Sequence, residues 1–169
     1  MHSSIEHILI SYNKNAEMLE LIKSLPNWFY KLISASMDLK HPKAWRAAMI
    51  IGHIMKKNDP RATPHINDFI DCLPHLTHDG HQRQVLIILD KLTLNEDQNG
   101  HLFNHCLSIW EQVNKIPSTR IRAFQAMIKM TKQFPELKDE LKLFTTDYYS
   151  QTLSEGIKVT FDRIVKSKL

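Results

Sequence analysis

Residues 79–92 read DGHQRQVLIILDKL: a loop-type Asp79-Gly80 pair, an arginine at 83, then an apolar helix. The same order recurs around Arg46 in HPKAWRAAMIIGHIM and around Arg122 in PSTRIRAFQAMIKM. A weaker fourth copy, SEGIKVTFDRIV, has Lys158 in the arginine's place. The steps from 46 to 83, 83 to 122 and 122 to 158 are 37, 39 and 36 residues. A near-constant period of this length, with one apolar helix per unit, marks stacked helical hairpins, since each hairpin buries its apolar face only against its neighbours. The expected fold class is all-α: an α-α superhelix, a right-handed solenoid of about four hairpins with an N-terminal capping helix.

The chain outside that stretch fits the same plan. Ile5, Ile8 and Leu9, then Met18, Leu21, Ile22 and Leu25, form two apolar patches in the expected cap, residues 1–25, with Asn15 placed to cap the second patch. The hairpins are expected at about 26–57, 64–92, 101–133 and 136–168. In the first, Trp28, Phe29, Leu32, Ile33 and Met37 give one helix, and His41-Pro42 opens the next. That second helix is apolar on two sides, with Ala47, Ile50, Ile51 and Ile54 on one and Ala48, Met49 and Gly52 on the other, as a sandwiched helix must be. Pro74 should kink or end the first helix of the second hairpin. Leu102, Cys106, Ile109, Trp110 and Val113 share a face in the third hairpin. Leu137, Leu141, Phe144 and Tyr148 recur at helical spacing in the fourth.

With 169 residues, 43% of them hydrophobic, the chain reads as one domain, 1–169, with material for a core. Only four glycines are present, at 52, 80, 100 and 156, so no P-loop or other glycine-rich phosphate loop exists. No apolar run approaches the roughly 20 residues of a membrane span, and the N-terminus has no basic start or small-residue cleavage site. Cys72 and Cys106 sit in different hairpins and read as buried reduced thiols, which fits a cytoplasmic protein.

A turn aspartate followed by an arginine near the start of an apolar second helix resembles the HEAT repeat, over about residues 26–169. Asp38 with Arg46, and Asp79 with Arg83, look like that family's pair; the third turn, Lys115-Ile116-Pro117, lacks the aspartate, and the fourth unit has Lys158. The resemblance implies arginines that hydrogen-bond along a stack. The fold is also distantly similar to that of HEAT-like DNA glycosylases that remove alkylated bases. Their catalytic residues have no match here: adjacent Trp45 and Arg46 point about 100° apart on a helix.

No catalytic residue, metal ligand set or cofactor is expected. His101 and His105 stand at i, i+4 without a third ligand, and His75, His78 and His81 cluster round a turn. Charge is more informative. The second helices with their leading loops (41–59, 79–93, 117–133, 154–169) sum to +9, and the N-terminal segment with the first helices and linkers (1–26, 27–39, 62–78, 94–116, 134–153) to −7. In HEAT-type stacks the second helices line the concave face, so that face should be basic, with Lys43, Arg46, Arg83, Arg120, Arg122, Lys129, Lys132 and Lys158 as binding candidates. The competing reading is cations gathered at helix C-termini, where the dipole favours them. The expected function is a non-catalytic binding scaffold whose basic groove takes an acidic or other protein partner. The alternative is a nucleic-acid binder.

Overall fold

The computed structural model describes residues 5–12, 16–24 and 26–169, which divide into two compact units, 1–94 and 95–169. Both are helical, and no strand occurs among the described residues. Asn15 and Leu25, assigned above to the N-terminal cap, lie outside the described residues.

The first unit contains α1 (Ile5–Ser11), α2 (Ala16–Ser24), α3 (Pro26–Met37), α4 (Ala44–Ile54), α5 (Ile66–Cys72) and α6 (Asp79–Asp90). Helix α4 packs against both α3 and α6. Its sequence allows this because small and branched apolar residues cover two sides: Ala44, Ala47, Ala48, Ile50, Ile51 and Ile54 are all buried. The α4 C-terminus is closed from α6: Lys91 Nζ donates to the Gly52 and Met55 carbonyls, bringing a cation to the negative end of the helix. Pro74 acts as expected. Helix α5 stops at Cys72, and residues Leu73–His75 continue as a 3-10 turn.

The Asp79-Gly80 pair is not a loop. His78 is the N-cap, its Nδ1 accepting from the His81 N–H at 3.1 Å, so Asp79 and Gly80 form the first turn of α6. Gly80 suits that turn sterically: a Cβ there would fall 2.9 Å from the His78 ring.

The linker before α5 holds a feature the charge count missed. Asp59 is buried and accepts from the backbone N–H groups of Lys56 and Arg61, and from Arg61 Nε and Nη2 at 3.0 and 2.9 Å. The same guanidinium lies 4.0 Å from the centroid of Phe29, a core residue of α3. The Asp-Pro-Arg order, with an aspartate accepting the N–H two residues on, is an Asx turn. The Arg61 side chain, more than any other group, holds the Asp59 carboxyl below its ordinary 3.8. Its stabilising contribution is therefore complete above that ordinary value and is lost as pH falls through the lower folded-state value. Asp59→Ala, which orphans two N–H groups and the guanidinium, should cost about 2–3 kcal/mol in urea denaturation at neutral pH. That difference from wild type should shrink in acid.

The second unit contains α7 (Glu96–Glu111), α8 (Pro117–Met130), α9 (Leu137–Lys142), α10 (Asp147–Ser150) and α11 (Glu155–Lys168). Helix α7 begins with a capping box between Asn95 and Gln98, and α8 begins with Pro117 at its first position. Helices α7 and α8 pack as a pair, and α11 lies on α8. An aromatic cluster joins them: the Trp110 ring centroid is 4.7 Å from Phe124 and 5.2 Å from Phe161. The 137–148 pattern, which predicts one continuous helix, is split into α9 and α10 around residues 143–146. The break exposes the Phe144 carbonyl, which accepts from Trp110 Nε1 at 2.9 Å. It also turns Tyr148 outward, leaving Tyr149 to stack on Trp110.

Candidate functional site

The arginines that open the second helices are drawn inward to different degrees. Arg46 and Arg83 are half-buried with Nε enclosed, and Arg46 Nη2 donates to the Tyr12 carbonyl at 2.8 Å, tying α4 to the end of α1. Helix α8 carries two arginines near its start, Arg120 and Arg122, and Arg120 stands 37 residues after Arg83, as Arg83 does after Arg46. Arg120 is 0% exposed. Its Nε and Nη2 donate to the Trp110 carbonyl, Nη2 also to the Tyr149 carbonyl, and Nη1 to Thr152 Oγ1, all within 3.0 Å. Its guanidinium carbon is 4.5 Å from the Trp110 ring centroid. Burial pushes its pKa down from 12.5. Placing Arg120 among surface-binding residues fails because it shares the core face of α8, three residues before Ala123 and four before Phe124. Asp38, matched above to Arg46, instead accepts from the Lys40 N–H at 3.0 Å.

Of the other candidates, Lys43 takes the N-cap position of α4 and is half-buried, Arg122 is half-buried on α8, and Lys158 is exposed on α11. Lys129 and Lys132 are brought together. They line a hollow of about 590 Å3 in the second unit, with Lys138 from α9 and Lys168 from the end of α11. Ile128, Pro135 and Ile164 supply apolar lining, Gln125 and Ser167 polar lining, and no carboxylate lines it. The Thr131 hydroxyl is committed to the Ile128 carbonyl at 2.8 Å. Four lysines from four chain segments thus line one hollow, and their charge would favour an anion there. The sequence pointed to Lys129 and Lys132. It did not point to Lys138, which sits in a net-acidic segment, and it gave no reason to group Lys168 with them.

A second hollow, about 330 Å3, lies in the first unit and gathers His41, His75, His78 and His81 beside Trp45. Trp45 stacks on His78 with centroids 6.0 Å apart. His41 shares Nε2 with Glu6 at 2.7 Å and accepts from the Lys43 N–H through Nδ1. His81 is buried, its Nε2–H donating to the Ser36 carbonyl at 2.8 Å. Burial lowers its pKa from the ordinary 6.5, with His78 adding to the effect. A lowered imidazole value means the unfolded chain binds the proton first. Stability contributed by neutral His81 is thus full above about 6.5 and falls as pH drops below it. Thermal melts between about pH 7.5 and 5 should show that loss, and His81→Gln should flatten the profile. Among the described residues no group of three or more His, Cys, Asp or Glu is arranged to hold a metal ion. His101 is exposed and His105 half-buried on α7. His53 is exposed on α4, with Nδ1 2.9 Å from the Tyr12 hydroxyl.

Both cysteines are free thiols. Burial pushes Cys106 up strongly and takes Cys72, with Asp68 and Asp71 adding, to about 12, so neither is a thiolate nucleophile at neutral pH. No helix among the described residues is long and apolar enough to cross a membrane.

No curated protein and no solved structure matches the chain. A family model described as a HEAT repeat domain matches residues 7–168, nearly the whole sequence. With helices throughout both units and this match over most of its length, the chain belongs to the HEAT repeat domain family.

Proposed function

We propose that this chain is a non-catalytic binding scaffold that offers a basic surface to an acidic segment of a protein partner. HEAT repeats generally mediate protein–protein interactions. The observation that carries the choice of partner is the hollow in the second unit, where Lys129, Lys132, Lys138 and Lys168 meet with no carboxylate among them. Ammonium groups on flexible stems attract an anionic chain without demanding one rigid geometry. Of the binding candidates, Lys129 and Lys132 make this contact; Arg120 holds the core; Lys43, Arg46, Arg83, Arg122 and Lys158 lie outside this hollow.

The described lining favours protein over nucleic acid because it holds no aromatic ring, and single-stranded nucleic acids bind largely by stacking bases on aromatic side chains. The test is a titration with fluorescent poly-glutamate and with duplex DNA at about 50 and 200 mM salt. Poly-glutamate binding that Lys129→Glu/Lys132→Glu abolishes is the expected result. Binding of duplex DNA alone would assign the surface to nucleic acid, and binding of neither would remove the anionic partner.

A further inference from the structure

We infer that the occupant of the lysine hollow is an acidic amphipathic segment, with carboxylates bracketing one or more aliphatic side chains. This rests on the scaffold reading above and narrows it. The hollow is not merely a cluster of surface charge. Ile128 from α8, Pro135 from the following loop and Ile164 from α11 line it together with the lysines. Its volume, about 590 Å3, is well above the roughly 150 Å3 that accommodates a benzene-sized apolar guest. A purely ionic ligand would leave those walls wet, whereas an aliphatic side chain seated on them removes apolar surface from water.

The lining polar groups point the same way. The cations are all lysines, with no arginine fork for bidentate phosphate recognition. Lys129, Lys132, Lys138 and Lys168 come from α8, the loop after it, α9 and α11, so positive charge borders the apolar lining from several segments. A segment that carries both carboxylates and an apolar side chain matches that lining.

The experiment compares three labelled probes of equal negative charge by fluorescence anisotropy on the full chain: a Glu/Leu peptide with helical spacing, poly-glutamate and oligothymidylate. At about 150 mM salt the Glu/Leu peptide should bind at least about tenfold tighter than poly-glutamate, the gain from burying one aliphatic side chain. Ile164→Ala should erase that advantage while poly-glutamate binding persists. Because Ile164 is half-buried and its truncation affects packing, Pro135→Ser, at an exposed position, provides a second variant, and it should reduce the same advantage. Lys129→Glu/Lys132→Glu should weaken both peptides. Equal affinity for the two peptides would overturn the inference and leave the scaffold reading intact. Oligothymidylate binding as tightly as the Glu/Leu peptide would also overturn it. No binding by any probe would overturn both readings.

Discussion

Arg120→Ala is expected to lower the stability of the second unit by about 3–5 kcal/mol, because it leaves two carbonyls without a charged donor, at about 1–3 kcal/mol each, and cuts back a buried side chain. The side chain is fully enclosed and serves two carbonyls and a hydroxyl from α7 and the α10 region. Its removal leaves the Trp110 and Tyr149 carbonyls short of donors and takes away the plane lying on the Trp110 ring. Arg120→Lys is informative because it keeps the charge. One ammonium cannot reproduce the fork that reaches Trp110, Tyr149 and Thr152 together, so the conservative change should still cost about 2 kcal/mol. Chemical denaturation of the full chain, followed by tryptophan fluorescence, measures both. A loss below about 1 kcal/mol for Arg120→Ala would mean that the guanidinium is solvated and that the surface reading of this residue was right.

Trp110→Ala should cost about 3–5 kcal/mol, as for other large aromatic side chains cut back in a core. The ring is 0% exposed, packs against Phe124, Phe161 and Tyr149, and bonds the Phe144 carbonyl through Nε1. Trp110→Phe separates the contributions: it retains an aromatic ring but loses the bond to Phe144, and about 1 kcal/mol with it. Because Arg120 lies on Trp110, the two alanine substitutions should not add; a double-mutant cycle should return a coupling of about 1–2 kcal/mol. Strict additivity would mean that the stacked pair contributes nothing beyond its separate contacts.

The helical plan could be read from the sequence because the hairpin signals are local. Apolar residues recur at three and four along α4, α7 and α8, and Pro74 and Pro117 act where a missing N–H has a fixed consequence. The misplacements also have definite causes. Summing charge over whole segments discards helical phase, and phase is what separates buried Arg120 from exposed Lys129 on the same helix. The 37- and 39-residue steps run through Arg122, and spacing alone does not tell which of Arg120 and Arg122 the helix turns into the core. The α9–α10 break was hidden because the apolar spacing continues across it, and the competing gain, an exposed carbonyl for Trp110 Nε1, lies 34 residues away. The lysine hollow was half visible for a similar reason. Lys129 and Lys132 are neighbours in sequence, but Lys138 and Lys168 join them only because α9 and the end of α11 line the same hollow.

The most direct test of the proposed binding site is a titration of the isotopically labelled full chain with poly-glutamate, followed by amide chemical shifts in two-dimensional NMR. Shifts should concentrate around Lys129, Lys132, Lys138 and Lys168 and disappear in Lys129→Glu/Lys132→Glu. Shifts centred instead on Lys43, Arg46 and Arg83, or spread evenly over every exposed lysine, would contradict the assignment of the hollow as the binding site.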